Sequence, residues 1–294
     1  MNIDNPENAI KSKFKENRAL RRVLERLSQN YCAVILTGGS SGIGRSFLEL
    51  FYRLPKNILI CNISRSKSEK FFPRENVFDF SCDLSYLEQI DCAFSEIEKL
   101  IEKNLKNGEN SPQNRKIFLV NNSGFGAYGI FPEPNLEHNA NMIDVNVRAL
   151  TYLCGKFMPL IRKNGGGIIN VASTAAWQPC PYLSVYGATK SYVLNFSLAL
   201  DYELRKFGAN CLCLCPGPTT SNFFRRAGFD KRPLKSNFGH EPEEVALAAM
   251  DAFCKRKNLK VVGFLNSVLT FMNYLIPRSL MGKIAGAVLA RVRQ

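Results

Sequence analysis

Tyr186 and Lys190 stand four residues apart in a stretch of helical periodicity, so both side chains leave one face of the helix and can address the same bound molecule. A free phenol titrates near ~10, too high for ready proton exchange at neutral pH, and a nearby ammonium favours the phenolate and lowers that value. The pair suits proton transfer to or from an oxygen. Tyr-x-x-x-Lys also occurs as plain helix surface, so its surroundings decide. Tyr182 and Tyr192 stand close by, but Tyr182 has no lysine four residues on and Tyr192 falls after Lys190; either lines a pocket or belongs to ordinary core.

The second chemical signal is Thr37-Gly38-Gly39-Ser40-Ser41-Gly42-Ile43-Gly44, which follows an aliphatic run directly and opens a helical one. Glycines permit a tight turn and let backbone approach phosphates, while a helix N-terminus offers unpaired N–H donors and the positive end of a dipole. Ser40 and Ser41 add hydroxyl donors. The segment reads as a seat for a dinucleotide pyrophosphate, or else as a structural strand-to-helix turn. Its glycines are separated by three residues and then one, unlike the G-x-G-x-x-G fingerprint.

Both groups sit in a regular alternation of elements. β-Branched and aliphatic runs near 32–36, 57–63, 76–80, 116–121, 167–171, 209–215 and 260–263 predict strands. Helical patterns fill the gaps, among them Gly44 to Leu54, Leu87 to Asn104, Glu137 to Arg162 and Val185 to Phe207. This rhythm predicts an α/β, Rossmann-like, doubly wound parallel sheet of about seven strands with helices on both faces. Residues 1–30 read as an N-terminal helical extension, amphipathic over 8–29 and packed on the domain; 31–263 as the catalytic domain, with a substrate loop at 217–241; and 264–294 as an amphipathic, basic helical tail.

Composition narrows the setting. The chain carries a formal charge of +14, much of it around Lys11 to Arg26 and Arg278 to Arg293, and no RNA- or DNA-binding motif accompanies it, so nucleic acid is not expected as a partner. The excess is either solvated helix surface or a match to a phosphorylated cofactor, a CoA thioester or a lipid surface. No run reaches the ~18 apolar residues of a spanning helix, so the tail is expected to lie on a membrane or to cover an acyl groove rather than to span. The ten cysteines are scattered through core elements and no apolar signal peptide opens the chain, which points to a reducing cytoplasm, with membrane association as an addition. Cys211, Cys213 and Cys215 alternate along a strand and so share one sheet face; their spacing is not that of a zinc site, and the two histidines, His138 and His240, stand alone, so no metal is expected.

The glycine spacing matches the T-G-x-x-x-G-x-G pattern of short-chain dehydrogenases/reductases. Further elements follow in the family's order: Asp83-Leu84 after the third strand, Asn121-Asn122-Ser123-Gly124 after the fourth, Asn146 in the long helix, Ser173 after the fifth strand, Tyr186-x-x-x-Lys190, and Pro216-Gly217 after the sixth. Residues 31 to 263 therefore resemble a classical member of that family. Two departures are small: Ser123 stands where Ala is more usual, and Ser221 where Thr is. The local wording Phe125-Gly126-Ala127-Tyr128-Gly129, Ser173-Thr174-Ala175-Ala176 and Cys215-Pro216-Gly217-Pro218-Thr219 is similar to a bacterial branch described as DltE-like, related to 3-ketoacyl-CoA reductases and 17β-hydroxysteroid dehydrogenases.

The resemblance implies an oxidoreductase in which Tyr186 is the general acid/base, Lys190 also holds the nicotinamide ribose, Ser173 binds the substrate oxygen, and Asn146 anchors a water linking Lys190 to solvent. It places the cofactor against Thr37, Gly38, Ser40, Ser41, Gly42, Ile43 and Gly44, with Asp83 and Leu84 at the adenine, Asn122 and Gly124 along its length, and Pro216, Gly217 and Thr219 at the carboxamide. The second strand ends Ile63-Ser64-Arg65 with Lys67 close behind and no carboxylate, so NADP(H) is favoured over NAD(H), Arg65 meeting the 2′-phosphate unless it is a plain surface cation. Phe223, Phe224, Phe229, Trp177 and Tyr182 would furnish a pocket for a hydrophobic ketone, 3-oxoacyl group or aldehyde, and Arg225, Arg226, Lys231 and Arg232 could meet a carrier phosphate. Relatives pair through the helices containing Asn146 and Tyr186, which implies a homodimer or homotetramer. A catalytically silent NADP(H)-binding sensor or scaffold, and a peripheral lipid-binding module, are the alternatives.

Overall fold

The computed structural model describes residues 16–66, 74–106, 115–229 and 239–291. Seven strands form one wholly parallel sheet: β1 (Tyr31–Thr37), β2 (Leu59–Ser64), β3 (Val77–Ser81), β4 (Lys116–Asn121), β5 (Gly166–Val171), β6 (Asn210–Cys215) and β7 (Leu259–Val261). Their spatial order is β3-β2-β1-β4-β5-β6-β7, so the chain builds outward from β1 in one direction and then crosses to β4 on its other side. That reversal opens a crevice at the carboxyl ends of β1 and β4, the usual ligand position in an open α/β sheet.

The central strands are buried on both faces, as their continuous apolar runs require. One face packs under α1 (Arg18–Asn30), α2 (Gly42–Phe51) and α8 (Pro242–Cys254), around Leu20, Leu27, Phe47, Phe51, Phe118 and Phe253. The other packs under α3 (Leu87–Lys106), α5 (Leu150–Asn164) and α6 (Ser184–Arg205). Cys211, Cys213 and Cys215 all point to this second face, as their alternation predicts. In the described part of the N-terminal segment, Leu20, Val23 and Leu27 of α1 bury against the sheet-facing core, and Asn17 caps the helix by accepting from the Leu20 N–H at 2.9 Å.

A buried polar chain ties β4, β5 and α6 together. Asn121 Nδ2 donates to Asn170 Oδ1 at 2.9 Å, Asn170 Nδ2 to Ser197 Oγ at 2.9 Å, and Ser197 Oγ to the Val193 carbonyl at 2.6 Å.

The long helix expected over Glu137 to Arg162 is not uniform. It runs as α4 (Leu136–Ile143), one stretch of π-helix at Asp144–Ala149, and then α5. Hydrophobic spacing carries no mark of that extra residue per turn. Between β6 and α8 the described residues form a single helical turn, α7 (Phe223–Arg226), and a parallel bridge from Thr219 to His240; Lys231 and Arg232 lie outside the described residues, as does Lys67. After β7 come α9 (Phe264–Met272) and α10 (Arg278–Ala290).

Candidate active site

The turn between β1 and α2 sits at the topological switch. Gly38 and Gly42 take positive φ of 75° and 54°, and a Cβ on Gly44 would lie 2.1 Å from the Gly38 carbonyl oxygen, so α2 can start against the turn only with hydrogen there. Three strands pin the turn. Gly38 N–H donates to the Ile63 carbonyl at 2.9 Å and Gly39 N–H to Asn62 Oδ1 at 2.9 Å. Thr37 Oγ1 accepts from the Asn122 and Ser123 N–H groups at 3.0 and 2.9 Å, and Asn122 Nδ2 donates back to the Thr37 carbonyl at 3.0 Å. Asn122 thus reaches the cofactor crevice by clamping β4 to β1. Ser41 occupies the N-cap position of α2, yet its hydroxyl makes no capping bond. The first-turn N–H groups of Gly42, Ile43 and Gly44 have no partner within the helix by geometry, which is what an anion requires. These donors, with the Ser40 and Ser41 hydroxyls beside them, fit a dinucleotide diphosphate.

At the far end of the crevice Arg65 follows β2, its side chain 74% exposed and its Nη1 3.9 Å from Asp83 Oδ2. Burial alone would raise the Asp83 carboxyl, but bonds from the Ser85 N–H at 3.0 Å and Oγ–H at 2.7 Å, together with Arg65, outweigh it and hold the acid below its ordinary range. Leu84 is buried beside it. A further shallow cavity of about 370 Å³ lies where α2 begins, between Gly42, Arg45, Ser221 and Pro242; it touches the turn but none of the four residues expected to be catalytic.

Those four come together at the carboxyl ends of β4 and β5. Tyr186 and Lys190 are both buried on the inner face of α6. Lys190 Nζ donates to the Val171 carbonyl at 2.8 Å and lies 5.8 Å from the Tyr186 ring centre. Ser173 caps the short 3₁₀ turn Thr174–Ala176, its Oγ accepting from the Ala175 N–H at 3.1 Å, and its hydroxyl lies near enough to Tyr186 to favour the phenolate. Asn146 lies in the π-helical stretch. Its Oδ1 accepts from the Phe125 N–H at 3.1 Å, and its Nδ2 donates to the Phe125 carbonyl at 2.9 Å and to Thr189 Oγ1 at 3.1 Å. A Cβ on Gly124 would sit 2.9 Å from Asn146 Oδ1 and 3.1 Å from Lys190 Nζ, so this glycine keeps the approach to the lysine open.

The electrostatics differ from the expectation that Lys190 lowers the phenol. Burial pushes Tyr186 up to about 12, with the nearby Ser173 hydroxyl a smaller opposing influence. The same burial brings Lys190 down to about 8, against the opposing influence of Cys213 and Cys215. In so dry a site the cost of holding any charge exceeds the benefit the lysine can give its neighbour. Sequence spacing shows that the two residues are close, and it carries no information on the solvation of either.

The substrate side is an aromatic cluster around Tyr186. Phe223 lies 5.3 Å from the Tyr186 ring centre, Phe224 lies 5.3 Å from Phe229, and Phe229 lies 4.3 Å from Tyr128. Gly126 makes room for this contact: a Cβ there would be 2.9 Å from the Phe223 ring and 3.2 Å from that of Tyr186. Tyr182 joins through Tyr128 at 5.9 Å. Trp177 does not; it packs edge-on against Tyr274 of the C-terminal segment at 5.6 Å. Tyr192 turns to the surface, bonding Thr151 Oγ1 at 2.9 Å. Met142, Tyr128 and Leu289 complete the cluster from elements remote from Tyr186 in sequence, and Cys180 joins from the loop just before α6; none of the four was expected there.

The C-terminal segment forms part of the wall. Asn266 of α9 packs on Gly217 so closely that a Cβ there would be 2.3 Å from its Nδ2. Glycines 282 and 286 of α10 let that helix lie on Pro179 and Pro181, and the Tyr128 hydroxyl donates to the Leu289 carbonyl at 2.7 Å. Pro216 accepts from the Thr174 N–H at 2.9 Å, and Thr219, nearly buried, donates to the Gly217 carbonyl at 3.1 Å, which places the loop over the same crevice.

A family model described as short chain dehydrogenase matches residues 32–231. The chain is 28% identical over 279 residues to the NADPH-dependent 3-dehydrocapnine reductase of Ornithobacterium rhinotracheale, covering 85% of this chain and 94% of that one. It is 28% identical over 258 residues to mouse estradiol 17-beta-dehydrogenase 11, covering 83% and 79%. Among solved structures, a Burkholderia cenocepacia short chain dehydrogenase in complex with NADP superposes with a TM-score of 0.68 at 19% identity, covering 88% of this chain and 98% of that one; a Brucella melitensis 3-ketoacyl-(acyl-carrier-protein) reductase complexed with NADH superposes with a TM-score of 0.67 at 23% identity, covering 80% and 98%. The protein belongs to the short-chain dehydrogenase family. It is accordingly an oxidoreductase working on the CH–OH/C=O couple with a nicotinamide cofactor.

Proposed function

We propose that the protein reduces a hydrophobic ketone, 3-oxoacyl group or aldehyde to the alcohol with NADPH, or runs the reverse oxidation with NADP⁺. The observation that carries this reading is the burial of the Tyr186 phenol, beside Ser173, in an aromatic cluster next to the crevice. The nicotinamide, when held at the crevice, supplies or accepts the hydride at the carbonyl carbon. Two hydroxyls, those of Ser173 and Tyr186, converge where a substrate oxygen would lie and stabilise the negative charge that develops on it. A phenol held near 12 is fully protonated at neutral pH, the form needed to give its proton to that oxygen.

On this reading Lys190, beside Gly124, binds ribose hydroxyls and returns the proton to Tyr186. Asn146 acts as a positioning residue, holding the Phe125 backbone and Thr189 so that the opening at Gly124 persists. Arg65 and the absence of a carboxylate at the end of β2 favour NADP(H), the guanidinium meeting the 2′-phosphate. Ile143, Tyr192 and Tyr202 leave apolar surface exposed on the helices that would pair two or four copies.

The test is turnover of a long-chain ketone by wild type and Tyr186→Phe, with NADPH affinity measured by fluorescence titration. The variant should bind NADPH as wild type does and lose about 10²–10⁴ in rate. Undiminished turnover would overturn the role given to Tyr186, and failure of wild type to bind either NADPH or NADH would overturn the reading as a whole.

A further inference from the structure

We infer that the C-terminal helix pair docks on an anionic lipid bilayer and that, on the reductase reading above, the carbonyl substrate reaches Tyr186 from that bilayer. The starting point is α9, whose polarity is reversed. Asn266, Thr270 and Asn273, spaced to share one helix face, turn toward the protein: Thr270 is buried, Asn266 packs on Gly217, and Asn273 Oδ1 is shielded from solvent. The apolar residues face outward, with Phe264 86% exposed and Leu269, Phe271 and Leu275 also exposed. A helix on a water-facing surface does the opposite. Of the eighteen large apolar side chains exposed among the described residues, eleven lie between Phe264 and Val288, which makes a continuous surface rather than scattered residues. In α10, Leu280, Ile284 and Val288 extend it at helical spacing.

Charge selects what covers this surface. Residues 264–294 contain Arg278, Lys283, Arg291 and Arg293 and no Asp or Glu, and the first three are exposed. A second copy would set the same cations against each other with no carboxylate in the segment to neutralise them, whereas anionic headgroups attract all of them. Length sets the mode of contact. At ~1.5 Å per residue, the 9 residues of α9 and 13 of α10 fall well short of a hydrocarbon core of ~30 Å, so the pair lies in the interface plane. The inner side of the same pair borders the aromatic cluster through Leu289, Pro179 and Pro181, so an amphiphile leaving the bilayer along it arrives beside Tyr186.

The experiment is flotation of the full-length protein with vesicles of phosphatidylglycerol mixed with phosphatidylcholine, or of phosphatidylcholine alone. Wild type, Phe264→Asp/Phe271→Asp and Arg278→Glu/Lys283→Glu are compared, with circular dichroism and NADPH titration checking that each variant folds. Docking predicts flotation with the anionic vesicles, and at least a tenfold loss in either variant, in high salt or on phosphatidylcholine. It also predicts that the variants reduce a vesicle-borne long-chain ketone at least tenfold more slowly while keeping the wild-type rate on a short water-soluble ketone. Equal binding to both vesicle types, or to neither, overturns the proposal. So does a variant that still floats but sediments as a smaller oligomer than wild type, because a second copy then covers the face. Anionic flotation with no reduction of any ketone leaves the docking surface standing and removes the reductase reading and the substrate route that rests on it.

Discussion

Replacing Lys190 by methionine should stabilise the nucleotide-free protein while abolishing turnover. Burial lowers the ammonium from its ordinary 10.5 to about 8. Below pH ~8 both folded and unfolded chains carry the charge, so folding bears the full cost of burying it; as pH rises from there toward the unfolded value the folded lysine is already neutral and the penalty fades. At ~1.36 kcal/mol per pKa unit the gap corresponds to roughly 3 kcal/mol. The lost bond to the Val171 carbonyl returns about 1 kcal/mol, leaving a net gain of about 2 kcal/mol for a methionine that fills the space of the aliphatic stem. At ~2–4 °C per kcal/mol for a domain of this size, Tm should rise by roughly 4–8 °C at neutral pH. Differential scanning calorimetry of both proteins without nucleotide, in steps from about pH 7 to 9.5, measures it. The neighbouring Cys213 thiol, raised well above its ordinary 9.0, stays protonated across this window, so the difference between the two curves reports on Lys190. That difference should shrink as pH rises. A difference that is flat across the range, or a variant less stable than wild type throughout, would refute the idea that a buried charge governs this lysine.

Three further outcomes follow from the same geometry. Arg65→Ala should weaken NADPH binding by roughly tenfold and leave NADH binding unchanged, since an exposed guanidinium gives less than a buried one; fluorescence titration with both nucleotides reads this directly. Gly44→Ala should cost on the order of 3 kcal/mol and abolish nucleotide binding, because its methyl would sit 2.1 Å from the Gly38 carbonyl and push α2 off the turn; thermal unfolding and titration together check it. Phe223→Ala should shift preference toward bulkier ketones on the order of tenfold in relative kcat/KM, because the ring removed lies directly over Gly126 and Tyr186; wild-type selectivity in the variant would show that Phe223 does not line the substrate path.

The backbone of the glycine-rich turn was legible because its determinants are local. Thr37 to Gly44 state in eight residues a strand end, two positions of positive φ and a helix start, and the structure places each of them so. The strands were legible to within a few residues because the central ones are short apolar runs and the edge strands β3 and β7 alternate apolar with polar residues. What escaped is non-local. Met142 and Leu289 join the cluster that contains Tyr186 from elements far from it in sequence, and no pattern along the chain links them. Trp177, chemically suited to a substrate pocket, packs instead on Tyr274, nearly a hundred residues later. The π-helical stretch holding Asn146 left no trace in hydrophobic spacing, and the raised Tyr186 phenol depends on solvation rather than on its distance from Lys190. In the tail, composition showed that apolar and basic residues were mixed, but not that the asparagines of α9 would be the ones facing inward.

The chain of buried amides between β4, β5 and α6 bears on how accurately the catalytic helix is set. Apolar contacts alone would let α6 slide along the sheet at small cost, since one methyl group replaces another. Two adjacent residues of β5 prevent this: Asn170 holds Ser197, and the Val171 carbonyl holds Lys190 seven residues earlier on the same helix face. A slip of one residue, ~1.5 Å along the axis, would break both bonds together and leave buried polar groups without partners. A displacement of about 1 Å is enough to cost a reaction on the order of a hundredfold. The amides therefore act as a vernier, converting the coarse fit of a hydrophobic core into the finer alignment that proton and hydride transfer demand.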